Sequence, residues 1–235
     1  LYTRALEQSS VTTLLRAATP TESGIRLASF SSAEPGIALD PDDLAELIPS
    51  SIRARYGTAI AATSVGVRRM PLGPEPGGVL LARDNACAHV TFLEGQCPSA
   101  AGEIAVSADQ ARVYEHAIGT AVFVGEFDGA VSLPTASPRT TLHVVGIYEQ
   151  VDGSYWFGER LTGQASARLG FDTMLTPLTT LTERVTAVDG QLTTWFERHY
   201  ALDLPLLTDT VGVDQIGPLG ATVADLVRYP MGVER

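Results

Sequence analysis

The order of hydrophobic patterns is what most restricts the fold. One helix-like segment comes first, and most of the later segments read as strands. In residues 2–18 the apolar positions Val11, Leu14, Leu15 and Ala18 share one helical face, and Thr19 and Pro20 end the helix. Strands are then expected over GIRLASF (24–30), with Ile25, Leu27 and Phe30 inward, over 58–70 and 77–83, and over HVTFLEG (89–95) and GEIAVS (102–107). TAVFVGEF (120–127), TTLHVVGIYEQ (140–150), GFDTMLTP (170–177), RVTAVDG (184–190) and TTWFERHYALDL (193–204) read the same way. The stretches PLGPEPGG (71–78) and DGAVSLPTASP (128–138) read as turn and linker.

Helices interrupt this series at few places. LDPDDLAELI (39–48) opens with Asp40 as N-cap and Pro41 at the first helical position. Ser107 caps a short helix over 108–117, LTTLTE (178–183) forms a short helix or turn, and residues 213–229 form a last helix despite Pro218. A helix, then many strands with a few helices, predicts an α+β fold with mixed sheets and two subdomains.

Composition narrows the chemistry. The chain has 235 residues, 45% of them hydrophobic, enough for a real core without covalent staples. Its net charge of -11 disfavours a nucleic-acid surface, which needs a basic stripe. All 16 basic residues are arginine. Without lysine there is no Walker A phosphate lysine and no Schiff-base amine. The sequence shows no G-x-S-x-G elbow, no G-x-G-x-x-G loop and no helical histidine pair among His89, His116, His143 and His199. Pairs such as Asp42/Asp43 suit helix capping better than acid–base work. No run reaches the about 18 apolar residues of a membrane span. The chain starts at Leu1, and an excised segment of a longer protein or a mature chain is expected.

Two cysteines, Cys87 and Cys97, stand ten residues apart. By spacing alone they are a disulfide or two buried thiols. A zinc set of Cys87, His89, Cys97 and His116 lacks the tight cysteine pairs of structural zinc sites.

Two longer stretches are more specific. LEGQCPSAAGEIAVSADQARVYEHAIGTAVFV (93–124) and LHVVGIYEQVDGSYWFGERLTG (142–163) together resemble the extracytoplasmic domain of MacB/FtsX-type ABC transporter permeases, in the version common in actinobacteria. In that family E-G-x-x-P-x-x-x-G-E-I-A-V-S marks a strand–turn–strand unit opening onto a short helix. V-V-G-I-Y is the strand after an insert, and Y-W lies just beyond it. LYTRAL at the start resembles residues leaving the first membrane helix. The resemblance is good over about residues 85–165, and over 190–235 it is one of layout only.

The resemblance implies a MacB-like periplasmic core domain spanning 1–235, between the first and second membrane helices of a permease. Helix 2–18 would extend the first span, with a subdomain break near 84–100. It implies a cytoplasmic ATPase subunit, a second permease copy and an extracytoplasmic substrate or protein as partners. It carries no catalytic residue, no cofactor and no metal. It also favours a Cys87–Cys97 disulfide, because the compartment would be oxidising. A free secreted binding domain of the same fold is the alternative, and a secreted hydrolase with scattered acids comes third.

One segment stands apart. GSYWFGERLTG (153–163) places Tyr155, Trp156 and Phe157 in a row between glycines. Side chains alternate along a strand, so three rings in a row cannot all face one way. Either they are core packing, with Trp156 the best anchor, or they contact a partner.

Overall fold

A computed structural model of the chain describes residues 2–30, 39–69, 77–125, 140–165, 167, 170–183, 187–188, 191–192 and 198–228. The first half holds α1 (Tyr2–Ala17), α2 (Pro20–Ser23), β1 (Ile25–Phe30), α3 (Pro41–Glu46), α4 (Ser50–Arg53), β2 (Ile60–Arg69) and β3 (Gly77–Arg83). A 3-10 turn (Ala86–His89) leads into β4 (Val90–Gly95), β5 (Glu103–Ser107), α5 (Ala108–Tyr114), β6 (Ala121–Gly125) and β7 (Thr140–Gln150). After a second 3-10 turn (Ser154–Trp156) come β8 (Met174–Leu175), α6 (Leu178–Glu183), β9 (Ala187–Val188), β10 (Gln191–Leu192) and β11 (Arg198–Leu204). A third 3-10 turn (Thr208–Thr210) precedes α7 (Val213–Arg228).

Among the described residues, nine strands form one sheet, ordered β1-β11-β2-β3-β8-β5-β7-β4, with β6 pairing to both β2 and β7. β3 with β8 and β5 with β7 are parallel; the other pairs are antiparallel. The fold is therefore α+β with a mixed sheet. β5 lies inside the sheet, and Ile104, Ala105 and Val106 are all buried. That matches its unbroken apolar sequence, since a strand covered on both faces has no polar side. The residues near 84–100 hold the first 3-10 turn and β4, at the outer edge of the sheet.

Alternation sorts the core into layers. Val65, Val67, Leu80, Ile104, Val106, Val122, Leu142 and Met174 pack on one face. Ala62, Leu81, Ala105, Tyr148 and Leu175 pack with Trp156 and Leu161 on the other. A third cluster joins Ile25, Leu202 and Leu204 to Leu44, Ile48 and Ile52 of the α3–α4 region, with Leu219 and Val223 of α7 against it.

Local chemistry sets the joints. The Asp40 carboxylate accepts from Asp42 N and Asp43 N, both at 2.9 Å, and Pro41 starts α3. Ser107 accepts from Gln110 N at 2.9 Å and starts α5. Glu103 folds back so that its carboxylate accepts from Ser99 N at 2.8 Å and Ala100 N at 2.9 Å. These backbone bonds hold its carboxyl below the ordinary value.

Two expected inward residues point out. Phe30 is 65% exposed because it shares parity with Arg26 and Ala28, whereas Ile25 and Leu27 face the core. Leu14 is 70% exposed, and α1 turns Val11, Leu15 and Ala18 inward instead. Pro20 ends α1 but opens α2, with Thr19 and Glu22 forming a capping box. Of the expected strand 170–177 only Met174–Leu175 is paired. The linker 128–138, most of the turn 71–78, and Trp195 and Phe196 lie outside the described residues.

The β4 exit depends on Gly95, at φ +70, where an added Cβ would sit 2.0 Å from Val145 O. Gly119, at φ +87, has open space around it. A left-handed backbone alone costs an L-residue about 1–2 kcal/mol. Gly119→Ala should thus lose about 1 kcal/mol and Gly95→Ala about 3 kcal/mol or more. Urea unfolding of both variants checks this, and equal losses would refute the close approach.

Candidate functional site

The aromatic triplet is not a strand. Ser154–Trp156 wind into a 3-10 turn, and Phe157 (φ +50) and Gly158 (φ +78) continue it in the left-handed region. That reversal lets neighbouring rings enter the interior together. Trp156 is 1% exposed and Phe157 5% exposed. Burying a ring of this size gains about 1.5–3 kcal/mol, which offsets the about 1–2 kcal/mol of a left-handed phenylalanine. Phe157 is received by Gly24, where an added Cβ would lie 2.5 Å from its Cε1. Trp156 Nε1 donates to Val151 O at 3.2 Å and His89 O at 3.3 Å.

Tyr155 is half-buried. Its ring stacks on His89 with centroids 3.6 Å apart and planes at 8°. Its hydroxyl donates to Asp84 O. The Arg83 guanidinium lies 4.8 Å from its ring centroid and 5.9 Å from that of Trp156. Burial pushes the Tyr155 phenol up to about 12, partly opposed by Arg83. Burial, and then the Asp172 carboxylate, push the Tyr148 phenol upward too.

Arg83 belongs to a charge network that joins three strands to this turn. Asp203 of β11 receives Arg26 Nε at 2.6 Å and Arg26 Nη2 at 2.7 Å. Arg26 Nη1 reaches Glu159 Oε1 at 2.6 Å. Arg83 Nη1 lies 2.7 Å from Asp203 Oδ2, with both side chains fully buried. That contact is an ion pair by distance but not an aligned hydrogen bond, as Arg83 Nε and Nη1 lack a hydrogen-bonded partner. Arg83 Nη2 donates to Tyr155 O at 2.7 Å. Two cations and two anions balance, so the desolvated charges are compensated within the group.

Beside the turn lies an open cleft of about 810 Å³. Ser107, Asp109, Tyr148 and Gln150 line one side, and Gly153, Trp156, Glu159 and Arg160 are among those on the other. Asp109, Glu149, Asp152 and Glu159 make its lining acidic. The Ser107 hydroxyl is fully used: it donates to Asp172, whose other oxygen accepts from Ala165 N at 2.9 Å, and it accepts from Gln110 N. The hydroxyl is thus engaged in capping α5 and in holding Asp172.

Cys87 and Cys97 form a disulfide, with Cα atoms 5.8 Å apart, so neither sulfur is available to a zinc ion. His89 is taken up by the Tyr155 stack. Among the described residues no group of three or more His, Cys, Asp or Glu could hold a metal.

Sequence reasoning singles out Tyr155, Trp156 and Phe157 but misses Arg26, Arg83 and Asp203. The signal is present: Arg26 and Asp203 interrupt apolar runs, as in YALDL, and Arg83 closes one, GGVLLAR.

No family model matches the chain, and no curated protein matches it at a significant level. Among solved structures it is similar to the extracellular domain of the noncanonic ABC-type transporter YknZ from Gram-positive bacteria. That likeness has 13% identity and a TM-score of 0.44, over 90% of this chain and 96% of that one. No helix among the described residues is long and apolar enough to cross a membrane.

The network and the stacked phenol each give a testable outcome. Asp203→Ala leaves Arg83 buried without its counter-ion and should cost about 3–5 kcal/mol in urea unfolding. A loss below about 1 kcal/mol would remove the network from the stabilising contacts. The folded state keeps Tyr155 neutral, while an unfolded phenol ionises near its ordinary value of 10.0. Its contribution is thus complete below about pH 10 and is lost as pH rises towards about 12. Tyr155→Phe should lose less stability than the parent between about pH 9 and 11.5; parallel losses would contradict this.

Proposed function

We propose that this chain is the extracytoplasmic domain of a MacB/FtsX-type ABC transporter permease, inserted between its first and second membrane helices. In this role the domain carries no catalytic site. It couples ATP hydrolysis by a cytoplasmic subunit to substrate export or to an outside partner, and works beside a second permease copy.

The observation that carries the reading is the fastening of α1 to the start of α7. Gln8 Nε2 donates to Val211 O at 3.2 Å, and Gln8 Oε1 accepts from Val213 N at 2.9 Å. Arg4 pairs with Asp214, and Arg16 with Asp209 at 2.7 Å. A domain inserted between two spans brings its first and last elements together, and the contact of α1 with the start of α7 supports that reading. Support also comes from the family-like stretches, which fold into one unit: β4 and β5 both pair with β7, and α5 follows β5.

Motion entering through α1 has a physical route inward. α7 packs Leu219 and Val223 on the cluster of Ile25, Leu44 and Leu202. The strands of that cluster carry Arg26 and Asp203, which hold Glu159 and Arg83 at the aromatic turn. The acidic cleft and the half-buried Tyr155 are then the surface offered to the outside partner, with Trp156 and Phe157 supporting it from below.

The parent gene product should sediment with membranes, carry an ATPase subunit through detergent purification, and be cut within this domain by protease added to intact cells. A soluble secreted product would overturn the proposal and favour the free binding domain. Tyr155→Ala should leave the domain folded by circular dichroism and lower the transporter's ATP turnover. Unchanged turnover would remove Tyr155 from the contact.

A further inference from the structure

The aromatic wall of the cleft hangs on a short turn that a disulfide ties down. We infer that Cys87–Cys97 is a redox-sensitive clamp whose reduction loosens the 151–157 segment on its His89 side while the sheet stays folded. The inference does not depend on the transporter reading.

The two ends of the disulfide are held very differently. On the Cys97 side the backbone is pinned without the sulfur. Gln96 N donates to Val145 O at 2.9 Å, Gly95 nests against Val145 O, and Pro98 is buried. Glu103 then accepts from Ser99 N and Ala100 N. On the Cys87 side the backbone bonds of residues 85–88 stay local: Ala88 N donates to Asn85 O at 3.0 Å at the start of the 3-10 turn Ala86–His89, and the methyl of Ala86 is buried. Asn85 enters that turn at φ +60, in the left-handed region. Opening the disulfide therefore frees the Cys87 turn and leaves the β4 exit in place.

That turn holds the wall. His89 stacks on Tyr155, and its carbonyl accepts from Trp156 Nε1 at 3.3 Å and from Val151 N at 3.4 Å. Three contacts to residues 151–156 thus leave one residue, two positions from Cys87. Cys97 is the more exposed residue and Cys87 is half-buried, so an attacking thiolate approaches from the Cys97 side. The reductant is a dithiol. Its thiolate attacks Cys97 Sγ and displaces Cys87 as thiolate; its second thiol then resolves the mixed disulfide. Two electrons pass to the cysteines, which end as two thiols, and the dithiol ends as its own disulfide.

The test is hydrogen exchange by mass spectrometry on the whole chain, before and after dithiothreitol and alkylation, with Cys87→Ser/Cys97→Ser as a second route to the open state. Exchange in 151–160 should rise at least about tenfold in both open forms, with β5 and β7 unchanged. Unchanged exchange in 151–160 would overturn the inference, and so would an equal rise in β5 and β7, because the bond would then hold the whole fold.

Discussion

The ion cluster around Asp203 is the interaction on which the rest depends. It lies where β1, β11 and β3 meet the turn at 155–159, and it is a charged tie between the sheet and the loop that covers one face of it. A buried carboxylate is tolerable only where cations repay its lost hydration. Asp203 has two, of which Arg26 also reaches Glu159 and Arg83 also donates to the Tyr155 carbonyl. The charges thus determine where the loop can sit. Hydrophobic contact alone would not, because apolar burial is non-directional and would accept a displaced loop almost as well.

With the loop placed, its sequence becomes intelligible. Three rings in a row are incompatible with a strand, and a 3-10 turn followed by two left-handed residues gives each ring its own direction. Phe157 goes to the notch left by Gly24, Trp156 beneath the turn at His89, and Tyr155 between His89 and Arg83. The three rings therefore divide between interior and surface. Trp156 and Phe157 are core, while Tyr155 has one side on the protein and remains half-open.

Strand identity is legible where sequence period and turn residues agree. β3 and β7 match their sequence patterns end to end, and Ser107 caps α5 as its position before a helical run implies. Phe30 defeats a reading by hydrophobicity alone, because parity decides: positions 25 and 30 cannot share a face. The charge network is not legible as a network. Arg26, Arg83 and Asp203 are far apart in sequence, and only the register that sets Arg26 opposite Asp203 and Ala62 opposite Arg83 brings them together. A charge inside an apolar strand is the local sign that such a partner has to exist, since an unpaired one would not survive burial.

The wall of the cleft is thus fastened from two sides by unlike means. From the sheet side, Arg83 and Arg26 hold it by charge, and the Arg83–Asp203 pair is shielded from water and so little screened by salt. From the edge side, His89 holds it through a turn whose own order depends on a covalent bond. The first fastening is built into the centre of the fold and moves only if β1, β3 or β11 moves. The second is peripheral and opens by thiol chemistry at the edge of the sheet. A wall anchored in this way can respond to strain delivered through the strands or to a change at the rim, and the two inputs meet at one side chain, Tyr155, which both Arg83 and His89 touch.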